Sequence, residues 1–342
     1  MKPRLVEHLR CPRCRGRLTL TIDVSTSDEI LTGALACAAC GAHYPVRDGV
    51  PRLLPPEPSH PLVRQTAESF GYGWAQPAVE PVAATIPWHY VKMQRSLNLE
   101  RPTGLLLDAG CGDGIDVANH ALGEGPDVIG VEVSDGGIAQ SWRRAGHLPR
   151  AHIVQADLCR LPLADRTFDA VYSYGVLHHI PHPDVAAREL ARVARPGASI
   201  AVYLYEDFVE RGPLLRAALR AANAFRVVTT RLSPRALMRL CRVASPVVYV
   251  LCAVPYRCLT RFSGTRGIAE SMPFRHAQGL FGLSGDLFDR FGAPVEYRYT
   301  RAGATALVEA AGLRVTAVGN DRGWMIAARK PAPAMMVGPL QC

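Results

Sequence analysis

Leu105-Leu106-Leu107-Asp108-Ala109-Gly110-Cys111-Gly112-Asp113-Gly114 is the stretch on which the reading of this chain turns. An apolar strand runs into three glycines spaced by two, and a helical pattern follows near 114–122. Glycine allows a tight turn and a close approach of backbone to ligand, while the helix N-terminus offers unpaired N–H groups. A dinucleotide site carries Gly-x-Gly-x-x-Gly; here the spacing is Gly110-x-Gly112-x-Gly114, and Asp108 stands two residues ahead. An ordinary strand–turn–helix corner would account for the glycines alone. It would not account for the acids that follow.

Glu132 ends the apolar run Val128-Ile129-Gly130-Val131, about twenty residues past the glycines, where a carboxylate accepts hydrogen bonds from ribose hydroxyls. Its bland alternative is a surface residue capping the turn at Ser134. Asp157 closes Ile153-Val154-Gln155-Ala156 and can accept from an adenine amino group, or simply cap a helix. Strands are expected at 105–109, 127–132, 151–156, 168–174 and 199–205, with helices near 114–122, 135–145 and 183–194. A helix near 300–311 and apolar runs at 313–318 and 323–329 follow later. That alternation predicts an α/β fold with a parallel sheet covered on both faces.

With these residues in view, the chain resembles the class I S-adenosylmethionine-dependent methyltransferases over roughly 65–205 and 286–329. The resemblance is carried by Asp108 to Gly114, Gly130-Val-Glu-Val-Ser134, Ala156-Asp157, Leu161-Pro162-Leu163, Phe168 to His179, and Glu189 to Gly197. It implies a Rossmann-like seven-stranded sheet and S-adenosylmethionine as cofactor. The methionine part would lie over Gly110, Cys111, Gly112, Asp113 and Gly114. The ribose would meet Glu132 and Val133, and the adenine Asp157 and Leu158. Phe70 and Trp74 resemble an aromatic lead-in that some relatives carry before the cofactor site; packing of a linker would explain them equally.

Methyl transfer is an in-line displacement, so the protein mainly positions the reactants, and a base helps only where the acceptor must lose a proton. His178 and His179 follow the fourth strand, at the edge where ligands of open α/β sheets sit, and either suits a base. In the bland reading one packs and the other shapes the pocket. Tyr174 is a comparable candidate for lining the site; Ser173 is a weaker one, and Cys111 is a small filler. Gly285–Pro294 and Glu296–Tyr299 read as a substrate-side loop, or equally as a structural strand and turn.

Near the N-terminus, Cys11-x2-Cys14 and Cys37-x2-Cys40 are two knuckles that can supply four thiolates, the ligand set of a structural zinc ribbon. Gly16 and Gly41 suit the tight turns, and a strand is expected at Leu18–Val24. His43 is a spare ligand candidate that packs more naturally at the ribbon edge. Cys37 to Leu54 resembles the small zinc-ribbon domains similar to activator subunits of RNA and protein methyltransferases. A closed set of four thiolates leaves no open position for catalysis.

Ten cysteines, 48% hydrophobic and 20% charged residues describe a globular chain of 342 residues. No apolar run approaches the roughly 18–20 residues that span a bilayer, so a cytoplasmic protein with reduced cysteines is expected, peripheral at a membrane at most. The charge is +9, and 211–266 carries eleven arginines with no Asp, Glu or Lys. A basic amphipathic helix leading into Val247-Val248-Tyr249-Val250-Leu251 suits an anionic membrane surface or an amphiphilic substrate; an ordinary helical lid and an RNA-binding face are the alternatives.

The expected layout is a zinc ribbon (1–54), a linker and lead-in (55–99), the cofactor-binding core (100–210), a helical basic lid (211–285), the rest of the methyltransferase domain (286–330) and a disordered tail (331–342). The expected activity is methyl transfer to a small or lipid-like metabolite. An RNA base methyltransferase with a zinc-binding head is the alternative enzyme. A non-catalytic module that recruits a protein partner through its ribbon is the alternative outside enzymes; the sequence names no such partner.

Overall fold

The computed structural model describes residues 1–57, 60–76, 89–100, 102–122, 124–265, 267, 269 and 279–332. All but two residues of the tail expected to be disordered lie outside these. Strands β1 (Leu18–Ser25), β2 (Ile30–Cys37), β3 (His43–Arg47) and β4 (Val50–Pro51) form a small antiparallel sheet. A second sheet has seven strands: β5 (Leu105–Ala109), β6 (Asp127–Glu132), β7 (Ala151–Gln155), β8 (Phe168–Tyr174), β9 (Ala194–Tyr205), β10 (Arg314–Asn320) and β11 (Gly323–Arg329). Its order is β10-β11-β9-β8-β5-β6-β7, parallel from β9 to β7, with β11 antiparallel to both its neighbours. The expected α/β, seven-stranded fold is present.

Strand order reverses at β5, which has β6 on one side and β8 on the other, so a crevice opens beyond the carboxyl ends of these strands. β9 starts at Ala194, earlier than the expected 199, because Phe168 pairs with Ala194 and a register shift between Phe168 and Ala170 absorbs the Pro-Gly turn.

Alternating side chains give the sheet two cores. Leu106, Val128, Ile153 and Tyr172 face one side. Helices α2 (His89–Leu97), α3 (Ile115–Ala121) and α4 (Asp135–Ala145) cover it through Tyr90, Met93, Val117 and Ile138. Leu107, Ile129, Val131 and Val154 face the other side. Helix α5 (Pro183–Val193) and a late helix, Arg301–Glu309, cover part of that face. The connection from β7 to β8 holds only the 3-10 turn Leu158–Arg160, so no crossover helix covers β6 and β7 there. The ribbon fills the gap: Leu5, Leu9, Leu53 and Tyr44 belong to the same buried cluster as Ile129, Val131 and Val154.

Hydrogen bonds fix that docking. Leu53 N–H donates to Gln155 O at 2.8 Å, Arg10 N–H to Pro162 O at 2.8 Å, and Arg15 pairs with Glu189 at 2.9 Å. The segment expected as a linker, 55–99, contains α1 (Pro61–Trp74) and α2. Proline at the first helical position costs no hydrogen bond, and His60 Nδ1 accepts the Leu62 N–H at 3.1 Å, so the proline-rich stretch starts a helix.

The insertion holds α6 (Pro213–Thr229) and α7 (Pro234–Val248), which continues through a π turn (Tyr249–Ala253) into α8 (Val254–Leu259). Next described is α9 (Gly279–Gly292), then α10, the late helix Arg301–Glu309. The loop expected at Gly285–Pro294 is therefore largely helical, and α9 runs across the boundary expected at 285/286. Glycines in its first half read as loop, yet Leu283, Leu287 and Phe288 bury against Leu237, Met238 and Cys241 of α7, and packing overrides propensity. A second correction concerns length. Pro234–Leu259 is one helix of 26 residues, long and apolar enough to cross a membrane, although no uninterrupted apolar run is.

Candidate functional site

The glycine loop sits where β5 ends. Gly110, Gly112 and Gly114 have φ of 92°, 52° and 76°, the left-handed region that favours glycine. A Cβ on Gly110 would lie 2.3 Å from Val176 Cγ2, and one on Gly112 would lie 2.9 Å from Trp74 Cζ2. Above the loop opens a cleft lined by Phe70, Trp74, Gly110, Gly112, Glu132, Val133, Asp157, Leu158, Tyr174 and His179, among others. Its empty volume, counted to the open mouth, is about 780 Å³.

Glu132 is buried, and its carboxylate accepts Ser134 N–H on Oε1 (2.9 Å) and Gly112 N–H on Oε2 (3.2 Å). Burial raises its pKa, while those N–H groups oppose the rise. Asp157 accepts the Cys159 N–H at 2.9 Å and starts the 3-10 turn that holds Leu158 in the wall. The capping reading of Asp157 is met, and the same residue lines the cleft.

Other expected residues lie one layer deeper, outside the cleft wall. Asp113 pairs with Arg144 at 3.1 Å and accepts the Ile115 N–H. Cys111 is buried with its Sγ 3.7 Å from Ser141 Oγ, and Gly114 packs against Ser141. Ser173 donates to Ala109 O at 2.8 Å. Asp108 is buried; loss of solvation, with Asp116 nearby, pushes its pKa well up. Asp116 Oδ2 meets His89 Nδ1 at 3.2 Å, while its buried Oδ1 has no hydrogen-bond partner among the described residues.

The two histidines part company. His179 lines the cleft, 5.1 Å from the Phe70 ring centroid. Its Nδ1 lies 2.7 Å from Val295 O; since a carbonyl can only accept, Nδ1 carries the proton and Nε2 keeps its lone pair. Burial, together with the Arg226 and Arg298 charges, outweighs that bond and lowers the pKa to about 4. His178 turns into the core, stacked on Tyr205 at 3.8 Å, and lines no part of the cleft. Tyr174 stacks between His89 (4.2 Å) and Tyr203 (4.3 Å), and burial raises its pKa, so it forms an aromatic wall.

Sequence reasoning missed Val63, Thr66, Gly175, Val176, Ile180 and Pro181, which also line the cleft. Val63 and Thr66 lie on α1, two turns before Phe70 and Trp74 on the same helix face, so its periodicity could have supplied them. Glu296, read as part of a substrate loop, is instead buried between Arg226 (2.9 Å) and Arg298 (2.8 Å).

In the ribbon, the sulfurs of Cys11, Cys14, Cys37 and Cys40 all lie within 4.8 Å of one another. The Cys11–Cys40 and Cys14–Cys37 separations are 3.7 and 3.4 Å. A zinc tetrahedron with Zn–S of about 2.3 Å has edges of roughly 3.8 Å, so the donor set fits zinc. The two knuckles repeat one turn: Arg15 N–H donates to Cys11 O and Gly41 N–H to Cys37 O, both with positive φ. A Cβ on Gly16 would lie 3.0 Å from Cys37 Sγ. His43 is exposed and outside the cluster.

Comparison with known proteins agrees with this geometry. Residues 107–202 match the methyltransferase domain family, and residues 2–49 match the Trm112p-like protein family. The chain is 34% identical over 128 residues to methyltransferase GfsG of Streptomyces halstedii, covering 36% of this chain and 45% of that protein. It is 32% identical over 118 residues to cycloartenol-C-24-methyltransferase 1 of Oryza sativa, covering 34% of this chain and 33% of that one. Matches to the curated relatives thus span less than half of their length. A solved complex of the Haloferax volcanii Trm112 methyltransferase activator with a putative methyltransferase aligns at a TM-score of 0.42 and 13% identity, over 72% of this chain and 90% of that one. The chain thus joins a segment similar to the Trm112p-like proteins to one similar to the methyltransferase domain family.

Proposed function

We propose that the protein transfers a methyl group from S-adenosylmethionine to a small or lipid-like acceptor. The observation that carries the reading is Glu132 at the end of β6, with one N–H on each carboxylate oxygen. The carboxylate also lines the cleft, where ribose hydroxyls can donate to it. One further feature supports the cofactor: Asp157 and Leu158 form a wall suited to adenine.

Bound there, S-adenosylmethionine supplies a methyl group on a sulfonium, open to in-line displacement. Phe70, Trp74 and Tyr174 exclude water from the cleft, and exclusion strengthens every charge interaction inside it. His179, neutral at physiological pH, offers Nε2 to accept a hydrogen bond from a hydroxyl or amine acceptor and orient it. His178 is a positioning residue, stacked on Tyr205 and accepting on its carbonyl the N–H of Tyr297, two residues after Val295. Zinc held by the four ribbon cysteines is structural. The name of the cycloartenol methyltransferase, and the apolar character of the cleft, favour an amphiphilic acceptor over RNA.

Incubation with radiolabelled S-adenosylmethionine and a panel of sterol-like, amphiphilic and RNA acceptors tests this. Label is expected in one of the amphiphilic compounds. Label confined to RNA, or NADH binding with no response to S-adenosylmethionine, overturns it.

A further inference from the structure

The helix Pro234–Leu259 is apolar on two sides. Leu237, Met238, Cys241 and Ala253 face inward, where they pack with Leu283, Leu287 and Phe288 of α9. Outward, Leu240, Val243, Val247, Val250, Leu251 and Val254 are 40–76% exposed. Their spacing (240, 243, 247, 250 and 251, 254) is one stripe of a helix surface. Single exposed apolar residues are ordinary, but six in one stripe are not.

Charge frames the stripe. Residues 243–256 contain no charged side chain, a length of about 21 Å at 1.5 Å per residue. Exposed Arg235, Arg239 and Arg242 lie before it, and exposed Arg257 and Arg261 after it. Arg211 and Arg226 of the insertion meet Glu206 and Glu296. Among the described residues, none of the five framing arginines has an acidic partner.

We propose that this outward face docks in the interfacial plane of an anionic lipid bilayer. The uncharged stretch is shorter than the roughly 30 Å hydrocarbon core, and the inward face is already committed to α9, so the helix lies along the interface and does not cross. Valine and leucine enter the acyl boundary while the arginines at both ends meet lipid phosphates. A second copy of the chain is the poorer occupant, because antiparallel pairing would set arginines against arginines. RNA is poorer too, because the middle of the face offers phosphates no cation. The proposal stands apart from the methyl-transfer reading, since docking needs neither cofactor nor acceptor.

Co-sedimentation of the full chain with phosphatidylcholine vesicles, and with vesicles also containing phosphatidylserine, at low and high salt, tests it. Binding is expected to the anionic vesicles only, and to fall with salt. V247N/L251N, altering exposed positions, is expected to weaken it on the order of tenfold while zinc content and melting temperature stay unchanged. R235Q/R239Q is expected to weaken it and flatten its salt dependence. Equal binding to neutral vesicles, no vesicle binding, or a self-associating chain that sediments alone and turns monomeric in V247N/L251N overturns the proposal.

Discussion

Leu53 of the ribbon donates its backbone N–H to the Gln155 carbonyl at 2.8 Å, two residues before Asp157 enters the wall of the cleft. Beside it, Arg52 Nη1 donates to Gln155 Oε1 at 3.2 Å. The ribbon is thus bound to the edge of the large sheet and covers the face of β6 and β7 that no crossover helix covers.

One expected consequence is a shared unfolding transition. The chain should carry one zinc, and Cys14→Ser or a strong chelator should lower the melting temperature of the methyltransferase domain as well as of the ribbon. Differential scanning calorimetry with elemental analysis checks this. Two separate transitions, with the upper one indifferent to zinc, would contradict it.

Acid should weaken the same contact. His152 on β7 is buried and accepts a hydrogen bond from Arg4 Nε at 3.4 Å. Burial, with Lys2, Arg4, His8 and the N-terminal amine around it, lowers its pKa to about 3. An unfolded histidine takes up its proton near pH 6.5, so the unfolded chain binds more protons between these values. Stability from this group is present above about pH 6.5 and is lost as pH falls toward 3. Urea midpoints across that range should drop more steeply in the wild type than in His152→Gln; equal slopes would exclude the role.

Much of this was legible in the sequence, for identifiable reasons. Asp108 to Gly114 was readable because a turn needing positive φ leaves few residue choices, and Glu132 and Asp157 because carboxylates that end two apolar runs stand out. The cysteine knuckles were readable because four sulfurs must converge. What escaped was tertiary. His178 and His179 are adjacent and chemically alike, and only the packing of Tyr205 against one and Val295 against the other separates them. Nothing local in Gly279–Gly292 announces a helix; its partner surface on α7 does. The docking of the ribbon depends on a helix missing between β7 and β8, which is visible only when the sheet is assembled.

Gly110→Ala should damage the loop twice, through its φ of 92° and through Val176 at 2.3 Å. A loss of about 1–3 kcal/mol in stability is expected. Adding Val176→Ala should relieve the contact but not the backbone, so recovery should be partial in denaturant titrations. Full recovery would show that conformation at Gly110 is unimportant.

His179→Ala should lower kcat on the order of 10- to 100-fold with little change in cofactor affinity. Because the pKa is lowered to about 4, the neutral ring is present across the physiological range. The acid limb of the kcat profile due to this group should lie near that value, not near 6.5. A limb near 6.5 that disappears in His179→Gln would refute the neutral-imidazole assignment.

Isothermal titration of S-adenosylmethionine into the wild type and Glu132→Ala tests the central claim most directly. Hydrogen bonds to a charged acceptor contribute about 1.5–3 kcal/mol, so the variant should bind roughly 10- to 150-fold more weakly. A matching Kd for both proteins, or no binding to either while NADH binds tightly, would contradict the cofactor site described for this cleft.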